Sequence, residues 1–282
     1  MQDFPIHRWG NTIKHRVVTY LWLISYAIRQ RISYHDFPSL LFVMVSPLFH
    51  FLRFKGRLPT PLGRVNIYND DVLREFVYAF FKTKFRYMPM IASIGVEPSH
   101  LSTIVDVGAN IGDFTLAVSK KAGRVISIEP GRDTFGTLCA NLRANSLDNV
   151  TALNIGAHDS VESLNFEGHY LEFRVSRLGT EQHATGMPLD LVLSTHGIEH
   201  VHILKIDVQG HETNVLKGTI GSLKKHSVDL AIVEVHPHRG VQIHDVISFM
   251  KSCDYRLIGQ NNGPFQPQLY FMNSYDPTSK IG

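Results

Sequence analysis

The feature that constrains this chain most is a regular alternation, from about residue 100 onward, of short apolar runs with helical periodicity. The apolar runs are STIVDVG, RVISIEP, VTALNIG, VHILKID and DLAIVEVHP, and stretches such as DFTLAVSKKA and ETNVLKGTIGSLKK separate them. Near-continuous apolar strands joined by helices indicate a parallel sheet covered on both faces. Because such crossovers are right-handed, the pattern predicts an α/β fold with a doubly wound sheet.

Two parts of the chain depart from this alternation. The segments YRLIG and QLYFMN, on either side of NNGPFQP, predict two final strands and a mostly parallel sheet with an antiparallel edge. Between His158 and Leu189, the segments VESLNFE and YLEFRVS predict an inserted pair of strands, and residues 176–188 predict a surface loop.

The N-terminal part differs from the rest in charge and composition. Residues 1–64 carry nine Lys and Arg against two Asp, a net +7 within a chain total of +3, so the remainder is −4. They include the apolar runs Val17–Ile28 and Phe37–Leu52, of 12 and 16 residues, which are shorter than the about 20 residues of a membrane span. We predict a basic, apolar helical extension over residues 1–60 and one domain over residues 61–282.

Two arrangements of this extension stay open. Its helices can lie in a membrane interface, where flanking Lys and Arg meet anionic lipid. They can instead cover the apolar surface of the domain itself or of a second subunit, which leaves a homodimer open. Residues 57–65 predict a linker, and residues 71–88 predict a helix that enters the domain. The two cysteines form no disulfide framework, which fits a cytoplasmic location with or without membrane association.

The stretch DVGANIG, from Asp106 to Gly112, follows an apolar run and opens a helix. Gly108 permits a tight turn, and Gly112 permits a close approach of helix and strand. The spacing is not the G-x-G-x-x-G of dinucleotide sites, and Asp106 would repel a pyrophosphate at this helix start. The motif suits a ligand with positive charge, such as S-adenosylmethionine. The alternative is a structural turn in which Asp106 is only a cap.

Two further carboxylates follow the next apolar runs. Glu129, in SIEPG, comes about 20 residues after the glycines, where nucleotide-binding sheets place the acid that accepts hydrogen bonds from ribose hydroxyls. Asp159, in NIGAHDS, can face an adenine amine or only form a turn before the insertion.

Taken together, these strings resemble a known family. DVGANIG, IEPGRDTFGTLCANLRAN, LDLVLSTHGIEHVHILKIDVQGHE and AIVEVHP, in this order over Ser102–Pro237, resemble the FkbM family of S-adenosylmethionine-dependent methyltransferases. The resemblance implies a Rossmann-like class I methyltransferase sheet. It also implies methyl transfer to a hydroxyl of a glycan, a lipid-linked saccharide or a natural product. For the cofactor it implies that the methionine end is held by Asp106, Gly108, Asn110 and Gly112, the ribose by Glu129 and the adenine by Asp159.

The loop KIDVQGHE, Lys205 to Glu212, should face the transferred methyl group. Asp207 is the first candidate for the base or for the group that positions the acceptor, and pairing with Lys205 on the same strand face would keep it ionised. His211 is the second candidate, since an imidazole takes up a proton near neutral pH. The alternative for His211 is an exposed helix start, and the alternative for Glu212 is an acid that the helix dipole stabilises.

A metal is considered and not favoured. Glu234, His236 and His238 share a strand face, and with Asp207 they could surround a divalent ion that acidifies an acceptor hydroxyl. No HExxH or Cys/His spacing supports such a site. We therefore expect no metal and assign Glu234 to the catalytic residues, in contact with the acceptor.

Two other functions stay open at the level of sequence. An NAD(P)-dependent oxidoreductase shares the fold but requires the missing glycine fingerprint. The second alternative function is that of a catalytically inactive scaffold that binds the cofactor. Nucleic acid is not expected as a partner, because the main domain is net acidic and shows no basic stripe with interleaved aromatic residues. The insertion and the N-terminal region are expected to shape the pocket for a small-molecule or glycan acceptor.

Overall fold

The computed structural model describes residues 54–167, 182–262 and 266–274, together with residues 174–175 and short helical pieces between residues 41 and 52. The first apolar run, residues 17–28, and residues 176–181 of the expected loop lie outside the described residues. Across the described part, no helix combines the length and the apolarity that a membrane crossing demands.

The strands of the described part are β1 (Gly56–Thr60), β2 (Gly63–Ile67), β3 (Thr103–Val107), β4 (Arg124–Ile128), β5 (Val150–Leu153), β6 (Gly156–His158), β7 (Glu162–Glu167), β8 (Arg174–Val175), β9 (Gln182–Pro188), β10 (Val201–Ile206), β11 (Val228–Glu234), β12 (Tyr255–Asn261) and β13 (Gln268–Asn273). The helices are α1 (Asp70–Lys82), α2 (Met88–Ile94), α3 (Asp113–Ser119), α4 (Arg132–Ala144), α5 (Leu189–Thr195), α6 (Glu212–Lys217), α7 (Ile220–Lys224) and α8 (Ile243–Ser252).

A seven-stranded sheet forms the centre, in the order β12-β13-β11-β10-β3-β4-β5. The strands β4, β3, β10 and β11 pair in parallel, and so does β5 with β4. The predicted doubly wound α/β sheet is thus confirmed. The antiparallel strand is β13, which lies one position in from the edge because it pairs with β12 on one side and with β11 on the other. The sheet order reverses between β3 and β10, where ligands of open α/β sheets bind.

The insertion after β5 forms a sheet of its own, in the order β6-β9-β7-β8. The inserted strands are therefore confirmed at residues 162–167 and 174–175, and the rest of the second expected strand lies outside the described residues. The surface loop expected over residues 176–188 is wrong for residues 182–188, which form β9. This strand pairs with β7 from Glu162↔Gly186 to Phe166↔Gln182. The small residues of β9 are typical of a loop in the sequence, but in the structure they allow the strand to pack closely against β7. A Cβ on Gly186 would lie 3.0 Å from the side chain of Leu164.

The linker expected over residues 57–65 is also wrong, because β1 and β2 form an antiparallel hairpin there. Leu58, Leu62 and Val65 are buried, so the segment contributes to the core instead of spacing two parts. Asn145, the C-cap residue of α4, holds the hairpin in place, since its side chain accepts a hydrogen bond of 2.7 Å from the backbone N–H of Arg64. The hairpin crosses the proposed division between residues 60 and 61, and that division stays a prediction.

The helix expected over residues 71–88 is confirmed and longer. Asn69 caps α1 by accepting a 2.8 Å hydrogen bond from the backbone N–H of Val72. A π-helical turn, Thr83–Tyr87, joins α1 to α2 without a break. Such turns widen a helix locally and often occur at functional sites. The helix lies where its polar side chains reach the carboxyl ends of β3 and β10.

Candidate active site

A cavity of about 940 Å³, counting the space that opens to solvent, lies at the carboxyl ends of the parallel strands. Helix α1, the turns after β3 and β4, strand β6 and the loop after β10 enclose it. Its lining comprises Glu75, Tyr78, Ala79, Lys82, Val107, Gly108, Asn110, Asp113, Ile128, Glu129, Pro130, Thr134, Gly156, Ala157, His158, Leu164, Phe166, Lys205, Asp207, Val208, Gln209 and His211.

The turn after β3 brings the backbone close to β10. Gly108 has a φ of +74°, and a Cβ there would lie 1.9 Å from the backbone oxygen of Asp207. No other residue fits this position, which is why a glycine follows the strand. Gly112, with a φ of +96°, precedes α3 and contacts Leu138. Gly112 lies outside the cavity lining, whereas Gly108 and Asn110 line the cavity.

Glu129 and Glu75 lie on either side of Asn110. The two carboxyl oxygens of Glu129 accept 2.9 Å hydrogen bonds from the backbone N–H groups of Asn110 and Gly131. The side-chain amide of Asn110 donates to Oε1 of Glu75 on α1. Its Oδ1 is buried and has no hydrogen-bond partner among the described residues. This arrangement holds two carboxyl groups and one open acceptor oxygen against the same wall of the cavity.

Three buried carboxyl groups, those of Glu75, Asp113 and Glu129, form an acidic wall of the cavity. Each accepts its hydrogen bonds from neutral donors. Burial raises the pKa of Glu75 to about 8 and that of Glu129 to about 7. Burial likewise raises the pKa of Asp113, whose Oδ2 accepts a hydrogen bond from the hydroxyl of Thr83. Buried carboxyls without a directly bonded cation favour a ligand that brings positive charge and disfavour a pyrophosphate.

A second group of charges lies beside this wall. The Nζ of Lys82, from α1, lies 2.7 Å from Oδ2 of Asp207 and 3.2 Å from Oε1 of Glu234. Glu234 also accepts hydrogen bonds from Tyr87 at 2.8 Å and Gln268 at 2.9 Å. It is 1% exposed and lies outside the cavity lining. The structure therefore surrounds this sequence-predicted catalytic residue with protein groups.

Asp207 keeps its charge within this group. Burial alone would raise its pKa, but the charges of Lys82, Lys205 and His236 outweigh burial and hold the pKa well below its usual range. Its Oδ2 binds Lys82, while Oδ1 has no hydrogen-bond partner among the described residues. An ionised carboxylate with one open oxygen can accept a hydrogen bond from an acceptor hydroxyl, but it is too weak a base to remove the proton.

His236 lies between Asp207 and Glu212 and belongs to the same group of charges. Its Nδ1 lies 2.7 Å from Oε1 of Glu212, and its Nε2 lies 3.7 Å from Oδ1 of Asp207. Burial disfavours its charged form, yet the bond to Glu212 and the charge of Asp207 raise the pKa of His236. Glu212 is fully buried and also accepts a 2.9 Å bond from the backbone N–H of Gly210. Glu212 thus shapes the loop and supports His236.

Lys205 was expected to pair with Asp207, and this prediction is wrong, because Lys205 pairs with Asp106. The Nζ of Lys205 lies 2.8 Å from Oδ1 of Asp106 and donates a 2.9 Å hydrogen bond to the backbone oxygen of Gly108. Parallel strands β3 and β10 place Lys205 directly beside Asp106. Asp106 also accepts a bond from Thr115, is fully buried and lies outside the cavity lining. The structure thus places this sequence-predicted cofactor residue behind the turn.

The charge of Lys82 disfavours a divalent ion beside Asp207. Donor atoms of Asp207, Glu234 and His236 lie within 4.8 Å of one another, whereas His238 is outside this group. The ammonium of Lys82 is already hydrogen-bonded to both carboxylates. An ion bound there would face that ammonium at short range, which the repulsion of like charges opposes.

His211 and Asp159 lie in the loops after β10 and β6. His211 lines the cavity, and its Nδ1 is buried without a hydrogen-bond partner in the part of the chain that the structure describes. Burial, together with the neighbouring His158, lowers the pKa of His211, so this imidazole is neutral at pH 7. Asp159 is outside the lining and lies 2.9 Å from Nδ1 of His158. The structure brings His158, not Asp159, to the cavity.

The sequence predictions missed the contribution of α1. Glu75, Tyr78 and Lys82 line the cavity from this helix. The signal was present, since the three polar residues recur at spacings of three and four, on one face of the helix. A polar stripe that is buried requires partners, and the loops after β3 and β10 supply them.

The chain is similar to known methyltransferases. The family described as the FkbM methyltransferase domain matches residues 106–257, more than half of the chain. Hexuronic acid methyltransferase AglP of Haloferax volcanii is 32% identical over 151 residues, 52% of this chain and 61% of that protein. Methyltransferase 1 of Beauveria bassiana is 26% identical over 166 residues, 49% of this chain and 66% of that protein. The matched part thus spans less than two thirds of either relative.

Solved structures of methyltransferases are similar to the chain. A methyltransferase from Aquifex aeolicus has a TM-score of 0.43 and 15% identity, over 68% of this chain and 91% of that chain. Aeropyrum pernix fibrillarin, solved with bound S-adenosylmethionine, has a TM-score of 0.43 and 12% identity, over 70% of this chain and 76% of that chain. The family match runs from the end of β3 to the start of β12 and includes every strand-end loop of the cavity. The chain therefore belongs to the FkbM family of methyltransferases.

Proposed function

We propose that this methyltransferase transfers the methyl group of S-adenosylmethionine to a hydroxyl oxygen of a glycan, a lipid-linked saccharide or a related small molecule. The observation that carries this proposal is that one cavity is lined by two kinds of titratable groups. Glu75, Asp113 and Glu129 are buried acids that suit a cationic cofactor, and we assign them to a cofactor half. Asp207 and a neutral His211 can together receive an alcohol, and we assign them to an acceptor half.

In the cofactor half, Glu129 would accept hydrogen bonds from the ribose. Its carboxyl group is fixed by two backbone N–H groups, so its remaining lone pairs point in defined directions. Gly108 and Asn110 would lie along the methionine part. Asp106 would act indirectly, since it anchors Lys205, which in turn holds the backbone oxygen of Gly108.

In the acceptor half, the residues divide the work of positioning and proton transfer. When bound, the cofactor supplies a methyl group on a positively charged sulfur, which is open to in-line attack by oxygen. Asp207 would accept a hydrogen bond from the acceptor through its open Oδ1, and its pairing with Lys82 fixes its orientation. His211 would take the hydroxyl proton, since it lines the cavity in its neutral form.

A sugar acceptor is supported by the relative that is a hexuronic acid methyltransferase. The acidic wall disfavours the pyrophosphate of a nicotinamide cofactor, and no feature of the described residues favours an oxidoreductase. A divalent ion is not part of the proposal, because Lys82 supplies the positive charge between Asp207 and Glu234.

Calorimetric titration with S-adenosylhomocysteine tests the cofactor site. We expect micromolar binding by the wild type and no binding of NADH. Glu129→Gln should weaken binding by about 10- to 150-fold, which corresponds to the loss of one charged hydrogen bond of about 1.5–3 kcal/mol. The matched control is Glu97→Gln, an exposed glutamate paired with Lys121, which should bind normally. Equal affinities for the two variants would contradict the role of Glu129.

We further propose that the cytoplasmic enzyme touches an anionic membrane through its N-terminal region. Phe42 packs onto Phe80 of α1 with ring centroids 4.7 Å apart, so this residue lies against the helix that lines the cavity. Leu48 and Leu52 nearby are 55% and 62% exposed. An exposed apolar face within a strongly basic segment fits the interface of an anionic bilayer.

Sedimentation with vesicles tests this contact. The wild type should bind phosphatidylserine-containing vesicles and not pure phosphatidylcholine, and Leu48→Glu with Leu52→Glu should abolish binding. Leu101→Glu is the control, because Leu101 is an exposed leucine at the other end of the sheet. Absence of vesicle binding, together with a dimer in analytical ultracentrifugation that the double variant dissociates, would assign this face to a second copy of the chain.

A further inference from the structure

Glu75 is a buried carboxyl that the family match does not cover. It lies on α1, before the matched residues 106–257, and it is 1% exposed while lining the cavity. Its hydrogen bond comes from the side-chain amide of Asn110, a neutral donor. A carboxyl group at such a position is expensive to ionise unless a cation joins it.

The protein charges around Glu75 do not supply that cation. Lys82 on the same helix lowers its pKa, but the Lys82 ammonium is hydrogen-bonded to Asp207 and Glu234. Asp113 and Asp207 act in the opposite direction. Burial is the largest influence, and Glu75 is therefore mostly protonated at pH 7.

A second observation points to a ligand at the same place. Asn110 uses its amide nitrogen for Glu75, and its Oδ1 is left buried without a hydrogen-bond partner in the described part of the chain. Glu75 and Asn110 therefore present acceptor oxygens to one corner of the cavity. A group with several N–H donors and a positive charge satisfies both of them, and the α-ammonium of an amino acid is such a group.

We propose that Glu75 binds the α-ammonium of the methionine part of S-adenosylmethionine and gives up its proton to solvent when the cofactor binds. The inference rests on the cofactor site proposed above. In the free enzyme the corner holds a neutral acid. In the complex it holds a carboxylate paired with an ammonium, and one proton has moved to the buffer. Helix α1 is thereby part of the cofactor site, although it lies outside the family match.

Proton release on binding is measurable without an acceptor. S-adenosylhomocysteine, which has the ammonium, is titrated at pH 7 in phosphate and in Tris, whose ionisation enthalpies differ, so the difference in heat counts the protons released. The comparison ligand is 5′-methylthioadenosine, which has the ribose but no amino-acid part. It reports any proton released by Glu129, whose pKa is also raised by burial.

We expect S-adenosylhomocysteine to release about 0.9 proton more than methylthioadenosine, because a group with a pKa of about 8 is about nine-tenths protonated at pH 7. Glu75→Gln should remove this difference, while Glu97→Gln should keep it. Equal release by the two ligands, or a difference that survives in Glu75→Gln, would overturn the inference. Failure of the wild type to bind S-adenosylhomocysteine at all would instead overturn the cofactor site itself.

Discussion

Replacement of Lys82 by methionine is expected to lower the free energy of unfolding by about 3–5 kcal/mol, the usual effect of removing one partner of a buried ion pair. Lys82 is 6% exposed and is hydrogen-bonded to both Asp207 and Glu234. Methionine fills a similar volume but leaves two carboxylates without their cation. Urea unfolding followed by circular dichroism measures the change, and methyl transfer should be lost with it because Asp207 loses its anchor.

The control for this variant is Lys121→Met. Lys121 also pairs with a glutamate, Glu97, but both side chains are more than 60% exposed and the charged atoms lie 3.7 Å apart. Exposed pairs contribute about 0–1 kcal/mol, so the control should unfold almost like the wild type. Similar losses in the two variants would mean that the Lys82 pairs do not stabilise the site in the way proposed.

Replacement of His211 by asparagine is expected to lower kcat for a hydroxyl acceptor by about 10²- to 10⁴-fold, the usual contribution of a general base. An alcohol must lose its proton as the new bond forms, and the neutral imidazole is placed to accept it. Since burial and His158 lower the pKa of His211, the base stays unprotonated to acidic pH. The wild-type rate should therefore be level near pH 7 and fall only below about pH 6.5. The rate of the His211→Asn variant should not show this decrease at acidic pH.

The measurement is radiolabelled methyl transfer to uronic-acid glycans over a range of pH. Such acceptors carry hydroxyls and a carboxylate, and a carboxylate is already ionised at neutral pH, so it needs no base. A His211→Asn variant with nearly normal kcat would thus contradict transfer to a hydroxyl and indicate the carboxylate. His244→Asn, an exposed histidine beside Asp245, is the control and should leave the profile unchanged.

Local patterns in the sequence were sufficient for the parallel sheet and for part of the site. The apolar runs specify buried strands, and residues that follow parallel strands must meet at one edge of the sheet. This is why Gly108, Glu129, Asp207 and His211 could be named in advance as neighbours of one cavity. The same reasoning could not separate residues that line the cavity from residues one layer behind, such as Asp106 and Glu234.

Contacts distant in the sequence were not predictable in the same way. Lys82 is 125 residues from Asp207 and 152 from Glu234, and nothing in the local pattern says which carboxylate a buried lysine will meet. Lys205 was expected to pair with its near neighbour Asp207, but the parallel register of β3 and β10 gave it Asp106. Similarly, the small residues of β9 read as a loop because only pairing with β7 makes them a strand.

The sequence by itself determined the alternating strands and helices of the parallel sheet, the glycine turn after β3, and which acidic residues follow each of these strands. These features depend on hydrophobic periodicity and backbone sterics, which act over a few residues. Only the tertiary structure decided that α1 lines the cavity with Glu75 and Lys82, that Asp207 is paired with Lys82, and that burial raises the pKa of Glu75 and lowers that of His211. The charge of a buried group depends on its desolvation and on the sign of its spatial neighbours, and folding brings those neighbours from all parts of the chain.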